Sequence, residues 1–260
     1  MTLDELIGPI QGLLGVQGRT GDQRVTIADV TDDSRKVKPG ALFVAVKGER
    51  VDGHDFLDAV AKQQPAAVVA QRPVSLGSIP IVMVKDSRAA LGLLGARFHG
   101  NPSARLRLIG VTGTNGKTTT TYVVKSMLEA VGRHVGLIGT VAYLVGSETI
   151  PASHTTPGAL ELQSLFARMV TAKLDSAVME VSSHALALDR TAGAEFDVAV
   201  FTNLTQDHLD FHVDMESYFQ AKRRLFSELG QGETKPGRKR AVINLDDPWG
   251  GRMRDACTAP

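Results

Sequence analysis

The chain has 260 residues, of which 43% are hydrophobic, and it carries a formal net charge of +1 at pH 7. This length and apolar content suffice for one large or two ordinary domains, and the near-neutral charge argues against nucleic acid as a main partner. The single cysteine, Cys257, excludes an internal disulfide framework and is typical of a reducing compartment.

The N-terminal segment is acidic where a secretory signal would be basic. Thr2 followed by Glu5 instead predicts a capping box that opens a first helix. The longest apolar stretch, residues 135–146, is too short to cross a bilayer and is interrupted by glycines. We therefore expect a soluble cytoplasmic protein that does not bind a membrane.

Short apolar runs alternate with segments of helical periodicity between residues 25 and 99. The predicted strands and helices are, respectively, 41–46, 66–70 and 79–84, and 56–62 and 87–98. This alternation predicts an α/β domain. Asn101-Pro102 interrupts the last helix, so we expect a first domain over residues 1–103 and a second over residues 104–260.

Residues 106–120 have the pattern of a strand, a glycine-rich loop and a helix. The loop and the first helical turn contain Gly113, Thr114, Asn115, Gly116, Lys117, Thr118 and Thr119. Glycines allow backbone N–H groups to close on a phosphate, Lys117 neutralises its charge, and Thr118 can bind Mg²⁺. Val111 stands where the general pattern has a glycine, so this is a variant loop. It predicts a site for a nucleoside triphosphate.

A second alternating series follows this loop. The predicted strands and helices are, respectively, 135–139, 176–181, 197–202 and 241–245, and 158–171 and 215–229. Near-continuous apolar strands predict a parallel sheet covered on both faces, whose ligands bind beyond the carboxyl ends of the strands. The expected fold class is therefore α/β: a small N-terminal domain and an incomplete P-loop-type ATPase domain with a parallel sheet.

Polar residues at the ends of the predicted strands are the candidates for chemistry. Glu180 ends a buried strand, where a carboxylate needs a partner such as Mg²⁺, although a helix cap or surface group is also compatible. His184 and His208 lie in predicted loops, where histidines are usually solvated. Lys222 lies within the predicted helix 215–229, and its local sequence indicates a solvated lysine.

Several motifs follow one another in order along the chain. They are Asp33-Ser34-Arg35 with Asp52-Gly53-His54, Gly110-x-x-Gly113-Thr114-Asn115-Gly116-Lys117-Thr118-Thr119, Glu180-Val181-Ser182-Ser183-His184-Ala185-Leu186, Asn203-Leu204-x-x-Asp207-His208-Leu209-Asp210-x-His212 and Ala221-Lys222. Together they resemble the Mur ligases of peptidoglycan synthesis, and the first motif resembles the UDP-binding domain of that family. Within the family, they are most similar to the branch that adds the third residue of the stem peptide.

The resemblance implies an ATP-dependent amide ligase. ATP would phosphorylate the D-glutamate carboxylate of UDP-MurNAc-L-Ala-D-Glu, an incoming amino acid would attack the acyl phosphate, and phosphate would leave. By the same resemblance, one Mg²⁺ is held by Thr118 and Glu180 and a second by His208 and a carbamylated Lys222. With Lys117, the residues Glu180, His208 and Lys222 would be catalytic.

The family pattern also implies contacts to the UDP-MurNAc-dipeptide. These contacts fall at Ser34, Thr155, Thr156, Ser182 and Arg190. Arg190 suits an acidic peptide or a phosphate because its guanidinium donates forked hydrogen bonds. His154 and Leu188 stand where one version of the pattern has an asparagine and a glutamine.

Other functions stay open on the residues alone. The sister ligase that adds D-Ala-D-Ala has a similar first domain, folylpolyglutamate synthetase has a similar phosphate loop, and a non-catalytic nucleotide-binding module is a third alternative. The residues do not specify which amino acid is added. We expect a monomer, and we expect the chain alone to have little or no ligase activity because the family pattern continues into a further domain.

Overall fold

The computed structural model describes residues 1–48, 51–207, 210–229, 235, 237 and 239–259. The chain forms two compact units, Met1–Gly100 and Asn101–Pro260. Each unit combines helices with its own sheet, so the predicted α/β class is confirmed. Among the helices described, none is long and apolar enough to cross a bilayer.

The first unit is built on a five-stranded sheet. Its strands are β1 (Val16–Thr20), β2 (Asp29–Thr31), β3 (Ala41–Val44), β4 (Ala67–Ala70) and β5 (Ile81–Val84), and its helices are α1 (Leu3–Ile7), α2 (Gln11–Leu14), α3 (Leu57–Ala61) and α4 (Ser87–Phe98). The strand order is β1-β5-β4-β3-β2, in which β2 to β5 are parallel and β1 is antiparallel to β5.

Local sequence explains the first helix and the central strands of this unit. The hydroxyl of Thr2 accepts from the Glu5 N–H, and the Glu5 carboxylate accepts from the Thr2 N–H, which confirms the predicted capping box. Every residue of β3 and β4 is buried, as expected for central parallel strands. The sequence did not predict β1 and β2, because these edge strands are short or carry polar and glycine residues.

The second unit is built on a seven-stranded sheet in the order β12-β11-β6-β10-β7-β8-β9. Its strands are β6 (Arg107–Thr112), β7 (Val135–Ile138), β8 (Ala142–Val145), β9 (Glu148–Pro151), β10 (Ser176–Glu180), β11 (Val198–Phe201) and β12 (Arg240–Ile243). Its helices are α5 (Lys117–Ala130), α6 (Ala159–Thr171), α7 (Ser183–Ala187), α8 (Met215–Ser227) and α9 (Gly250–Asp255).

The predicted parallel sheet corresponds to five of these strands, from β12 to β7. The hairpin β8–β9 extends the sheet with two antiparallel strands that the sequence did not predict. Gly146, at φ +62°, lies in the turn between them, beyond the predicted strand 135–139. The predicted and the observed sheets therefore differ at this edge and not at the centre.

Strand register places the functional loops side by side. Glu180, the last residue of β10, pairs with Val111 of β6, and Met179 pairs with Ile138 of β7. On the other side of β6, Phe201 of β11 pairs with Thr112. Because these strands are parallel, the segments that follow β6, β7, β10 and β11 all leave the sheet at one edge.

Candidate active site

The loop between β6 and α5 begins with a backbone conformation that favours glycine. Gly113 has φ +151°, and a Cβ atom there would lie 1.9 Å from the Thr202 hydroxyl oxygen. The Thr114 N–H donates to the carbonyl of Asn203 at 2.9 Å, and the Asn115 N–H donates to the Asn203 side-chain oxygen at 3.0 Å. The segment after β11 therefore holds this loop in place.

Lys117 is the first residue of α5 and lies against the loop. Its ammonium group donates to the carbonyls of Gly113 and Thr114 at 3.0 and 2.8 Å. Burial lowers the pKa of Lys117, while the negative charges of Glu180 and Asp207 act in the opposite direction. The ammonium group is thus held beside the loop. A phosphate group bound by the N–H groups of the loop would lie close to this charge.

The Glu180 carboxylate is buried, with 1% of the residue exposed, and it is surrounded by hydroxyl and N–H donors. The Thr118 hydroxyl lies 3.0 Å from each carboxylate oxygen. Thr140, which follows β7, donates its N–H to Oε1 at 2.9 Å and its hydroxyl to Oε2 at 3.2 Å. These contacts explain how a carboxylate at the end of a buried strand is stabilised.

Lys222 on α8 contacts the same loop. Its ammonium donates to the Gly113 carbonyl at 2.9 Å and lies 4.5 Å from the centre of the Tyr218 ring. Burial lowers the pKa of Lys222 well below its ordinary value; the charge of Lys117 lowers it further, and Asp207 opposes both.

The local interpretation of Lys222 as a solvated lysine is wrong, because only 1% of the residue is exposed. Tyr218, Lys222 and Leu225 share the buried face of α8, as their spacing of four and three residues requires. A lysine in register with the apolar positions of an amphipathic helix was therefore the signal that sequence reasoning could have used.

Three of the residues predicted to contact the substrate form a chain of contacts behind Glu180. The Thr156 hydroxyl donates to the Glu180 carbonyl at 2.9 Å and accepts from the Ser182 N–H at 3.0 Å. The Ser182 side chain also caps α7. Arg190 donates to the Thr156 carbonyl at 3.2 Å.

Thr155 also belongs to this edge of the sheet, since its hydroxyl lies 3.0 Å from that of Thr140. Ser34 is in the first unit, where its carbonyl accepts from the Gln63 amide at 3.0 Å. Thr119 lies in the first turn of α5 but is not among the residues that line the cavity described next, and the predicted residue His208 lies outside the described residues.

The second unit contains a cavity of about 250 Å³ next to the phosphate loop. The cavity is lined by Thr114, Asn115, Gly116, Lys117, Thr118, Thr140, Thr155, Glu180, Ser182, Ser183 and Lys222. Within the described part of the chain, no hydrogen-bond partner meets the buried Ser183 hydroxyl. Thr118 and Glu180 offer oxygen ligands of the kind that Mg²⁺ prefers. The phosphate loop, with Lys117 and Lys222 beside it, suits a phosphate group. The residues therefore fit a magnesium nucleotide.

Sequence reasoning missed Thr140 as a residue of this cavity, whereas Ser183 belongs to the motif 180–186 that follows a predicted strand. Thr140 directly follows the short segment after β7, so the rule that selects polar residues at strand ends would have found it. For Ser183, the neighbour of Ser182, no signal in the sequence distinguishes its buried hydroxyl from a solvated one.

The sequence of this chain is similar to those of known proteins. Residues 111–259 match the Mur ligase middle domain, and residues 26–99 match the model described as Mur ligase family, catalytic domain. A Bacillus cereus protein named UDP-N-acetylmuramoyl-L-alanyl-D-glutamate–2,6-diaminopimelate ligase is 51% identical over 221 residues, covering 85% of this chain and 45% of that protein. The chain spans about half the length of the curated relatives it matches.

Solved structures agree with these matches. A UDP-N-acetylmuramoyl-L-alanyl-D-glutamate–2,6-diaminopimelate ligase aligns with a TM-score of 0.81 at 26% identity, covering 98% of this chain and 49% of that one. The MurF ligase of Thermotoga maritima, solved in complex with ADP, aligns with a TM-score of 0.56 at 25% identity, covering 89% and 49%. Because the middle-domain model alone spans more than half of the sequence, the chain belongs to the Mur ligase family.

Proposed function

We propose that this chain binds ATP, Mg²⁺ and UDP-MurNAc-L-Ala-D-Glu for the ligation of an amino acid to the D-glutamate carboxylate, the reaction of the MurE branch. The observation that carries the proposal is the convergence of Lys117, Thr118, Glu180 and Lys222 on one cavity at one edge of the sheet. The names of the relatives support 2,6-diaminopimelate as the amino acid and the ADP complex of a family member supports ATP as the nucleotide. We further propose that the reaction takes place in the cytoplasm.

Thr118 and Glu180 are the residues that would hold Mg²⁺, and His208 with Lys222 is the proposed second pair. When bound, Mg²⁺ neutralises charge on the transferred phosphate. Carbamylation would fit Lys222 for this role: the neutral amine attacks carbon dioxide, an N–C bond forms, and the amine loses a proton to give a carbamate with two oxygen donors. The lowered pKa of Lys222 supports this step, because only the neutral amine is nucleophilic.

The remaining residues bind and orient the reactants. The loop N–H groups and Lys117 would hold the phosphates of ATP, while Thr155, Thr156, Ser182 and Arg190 would orient the dipeptide. A carboxylate oxygen of D-glutamate then attacks the terminal phosphorus, and ADP leaves. The amine of the incoming amino acid attacks the acyl carbon of the resulting acyl phosphate, inorganic phosphate leaves, and the amine proton passes to solvent.

Calorimetric titration of the chain with a non-hydrolysable ATP analogue and Mg²⁺ tests the nucleotide site. Lys117→Ala is expected to weaken binding by at least about tenfold, because it removes a buried charge from the phosphate loop. Lys125→Ala is the matched control, since Lys125 is on the same helix but pairs with Glu129. Equal affinity of the wild-type and Lys117→Ala chains would contradict the proposal.

Titration with the UDP-muramoyl peptides tests the second substrate. UDP-MurNAc-L-Ala-D-Glu is expected to bind more tightly than the corresponding tripeptide, and Ser34→Ala is expected to weaken this binding without changing that of the nucleotide. Tighter binding of the tripeptide would favour the sister ligase that adds D-Ala-D-Ala. The two titrations thus separate the branches of the family.

A further inference from the structure

Thr140 contacts both the proposed metal ligand and the proposed substrate side of the cavity. We propose that Thr140 is a positioning residue: it fixes the Glu180 carboxylate for Mg²⁺ and links that carboxylate to Thr155. The inference rests on the proposed function, because it assumes that Glu180 binds the metal. It adds to that function a residue that acts through Glu180.

The contacts of Thr140 define the orientation of the carboxylate. Its N–H and its hydroxyl reach different oxygens of Glu180, at 2.9 Å for Oε1 and 3.2 Å for Oε2. Two donors from one residue fix both the position and the rotation of the carboxylate plane. Thr118 lies 3.0 Å from both oxygens, so the carboxylate is held between α5 and the segment after β7.

Gly139 encloses the carboxylate from a neighbouring direction. A Cβ atom at this position would lie 2.4 Å from Glu180 Oε1, closer than real Cβ atoms approach an oxygen. Gly139 therefore permits the approach that the Thr140 N–H makes to the same oxygen. The pair Gly139-Thr140 forms a cradle for one carboxylate, and any displacement of Glu180 must break contacts with it.

The hydroxyl of Thr140 also fixes the direction of a hydrogen-bond chain. A hydroxyl has one proton, so when Thr140 donates to Glu180 it accepts from the Thr155 hydroxyl, 3.0 Å away. The chain runs from Thr155 through Thr140 to Glu180. Thr155 consequently donates its hydroxyl proton to Thr140. Its oxygen can then only accept a hydrogen bond in the cavity, which suits an N–H donor of the peptide substrate.

The dependence of nucleotide binding on Mg²⁺ concentration tests this role. Thr140→Val keeps the shape and the N–H but removes the hydroxyl, and it is expected to raise the Mg²⁺ concentration for half-maximal binding of a non-hydrolysable ATP analogue by about tenfold. Thr140→Ser is expected to restore the wild-type value. Binding of the analogue without Mg²⁺ is expected to be the same in all three proteins, which a general structural defect would not allow.

Thr149→Val is the matched control, because Thr149 is exposed on β9 and lies outside the cavity. Gly139→Ala displaces the same carboxylate from another direction and is expected to raise the Mg²⁺ requirement as Thr140→Val does, so the inference stays testable if one variant does not fold. An unchanged Mg²⁺ requirement in a folded Thr140→Val or Gly139→Ala chain would overturn the inference alone. If the wild-type chain showed no Mg²⁺-dependent binding of the nucleotide, both the proposed function and this inference would be overturned.

Discussion

Two lysine ammonium groups share one carbonyl oxygen at the candidate site. The Gly113 carbonyl accepts from Lys117 at 3.0 Å and from Lys222 at 2.9 Å. Two like charges so close together in a buried place destabilise each other, which is why the positive charge of Lys117 contributes to the lowered pKa of Lys222. Such an arrangement reduces the stability of the protein and is typical of functional sites.

Lys222→Met is therefore expected to stabilise the chain by about 1 kcal/mol at pH 7 in carbonate-free buffer. Methionine fills a similar volume without a charge, and the Gly113 carbonyl keeps its bond from Lys117. The folded-state pKa of Lys222 lies below its unfolded value, 10.5, so the charged form opposes folding below the folded pKa. The wild-type chain should thus gain stability relative to the variant as the pH rises towards 10.5.

Urea unfolding of the second unit at several pH values from 7 to 10 measures both effects. The stability difference between the two proteins should be largest at pH 7 and should shrink as the pH rises. A wild-type chain at least as stable as Lys222→Met at pH 7 would show that the buried ammonium is not a net cost.

At the scale of the elements, the sequence predicted the centre of each sheet better than its edges. Helix α4 was predicted at its observed bounds, and the strands β7, β10 and β11 were predicted within one or two residues, because continuous apolar runs mark buried parallel strands. The sequence did not predict the hairpin β8–β9, because the alternation of apolar and polar residues in an edge strand depends on which neighbouring elements cover its faces. Contacts such as Thr140 with Glu180 join strands that are adjacent in space but distant in sequence.

Gly110 shows that a glycine in a motif can serve packing. The sequence grouped it with the phosphate loop, yet it lies within β6, where a Cβ atom would come within 2.7 Å of the Phe196 ring. The corresponding atom at Gly136 on β7 would meet the flexible end of Met169 at 2.6 Å. A Cβ atom at either glycine would thus be similarly close to a neighbouring side chain, but the Phe196 ring is stiffer than the Met169 side chain.

Gly110→Ala is expected to destabilise the second unit by about 1 to 3 kcal/mol, because the Phe196 ring is buried in the core and must shift to make room for the new methyl group. Gly136→Ala is expected to cost less than about 1 kcal/mol, since the Met169 side chain can adapt and alanine restricts the unfolded chain. Chemical denaturation of both variants measures the difference. Equal destabilisation by the two substitutions would contradict this explanation.

At the scale of the whole molecule, the predicted site residues are divided between the two units. The cavity belongs entirely to the second unit, whereas Ser34 belongs to the first. Sequence order did predict that groups far apart in the chain meet at the carboxyl edge of a parallel sheet. It could not predict which oxygens and N–H groups meet there, because those contacts depend on side-chain conformations and on loops between strands.

This division predicts where a nucleotide stabilises the protein. At about 100 times its dissociation constant, a non-hydrolysable ATP analogue with Mg²⁺ should stabilise the second unit by about 2.7 kcal/mol through mass action. Hydrogen exchange should accordingly slow in the globally exchanging amides of β6, β10 and β11, while the buried strands β3 and β4 of the first unit serve as the internal control. In the Lys117→Ala chain, whose affinity should be at least about tenfold lower, the same nucleotide concentration should stabilise the second unit by at most about 1.4 kcal/mol. Protection of β3 and β4 as strong as that of β6 would place the nucleotide's effect outside the cavity that Lys117, Thr118 and Glu180 line.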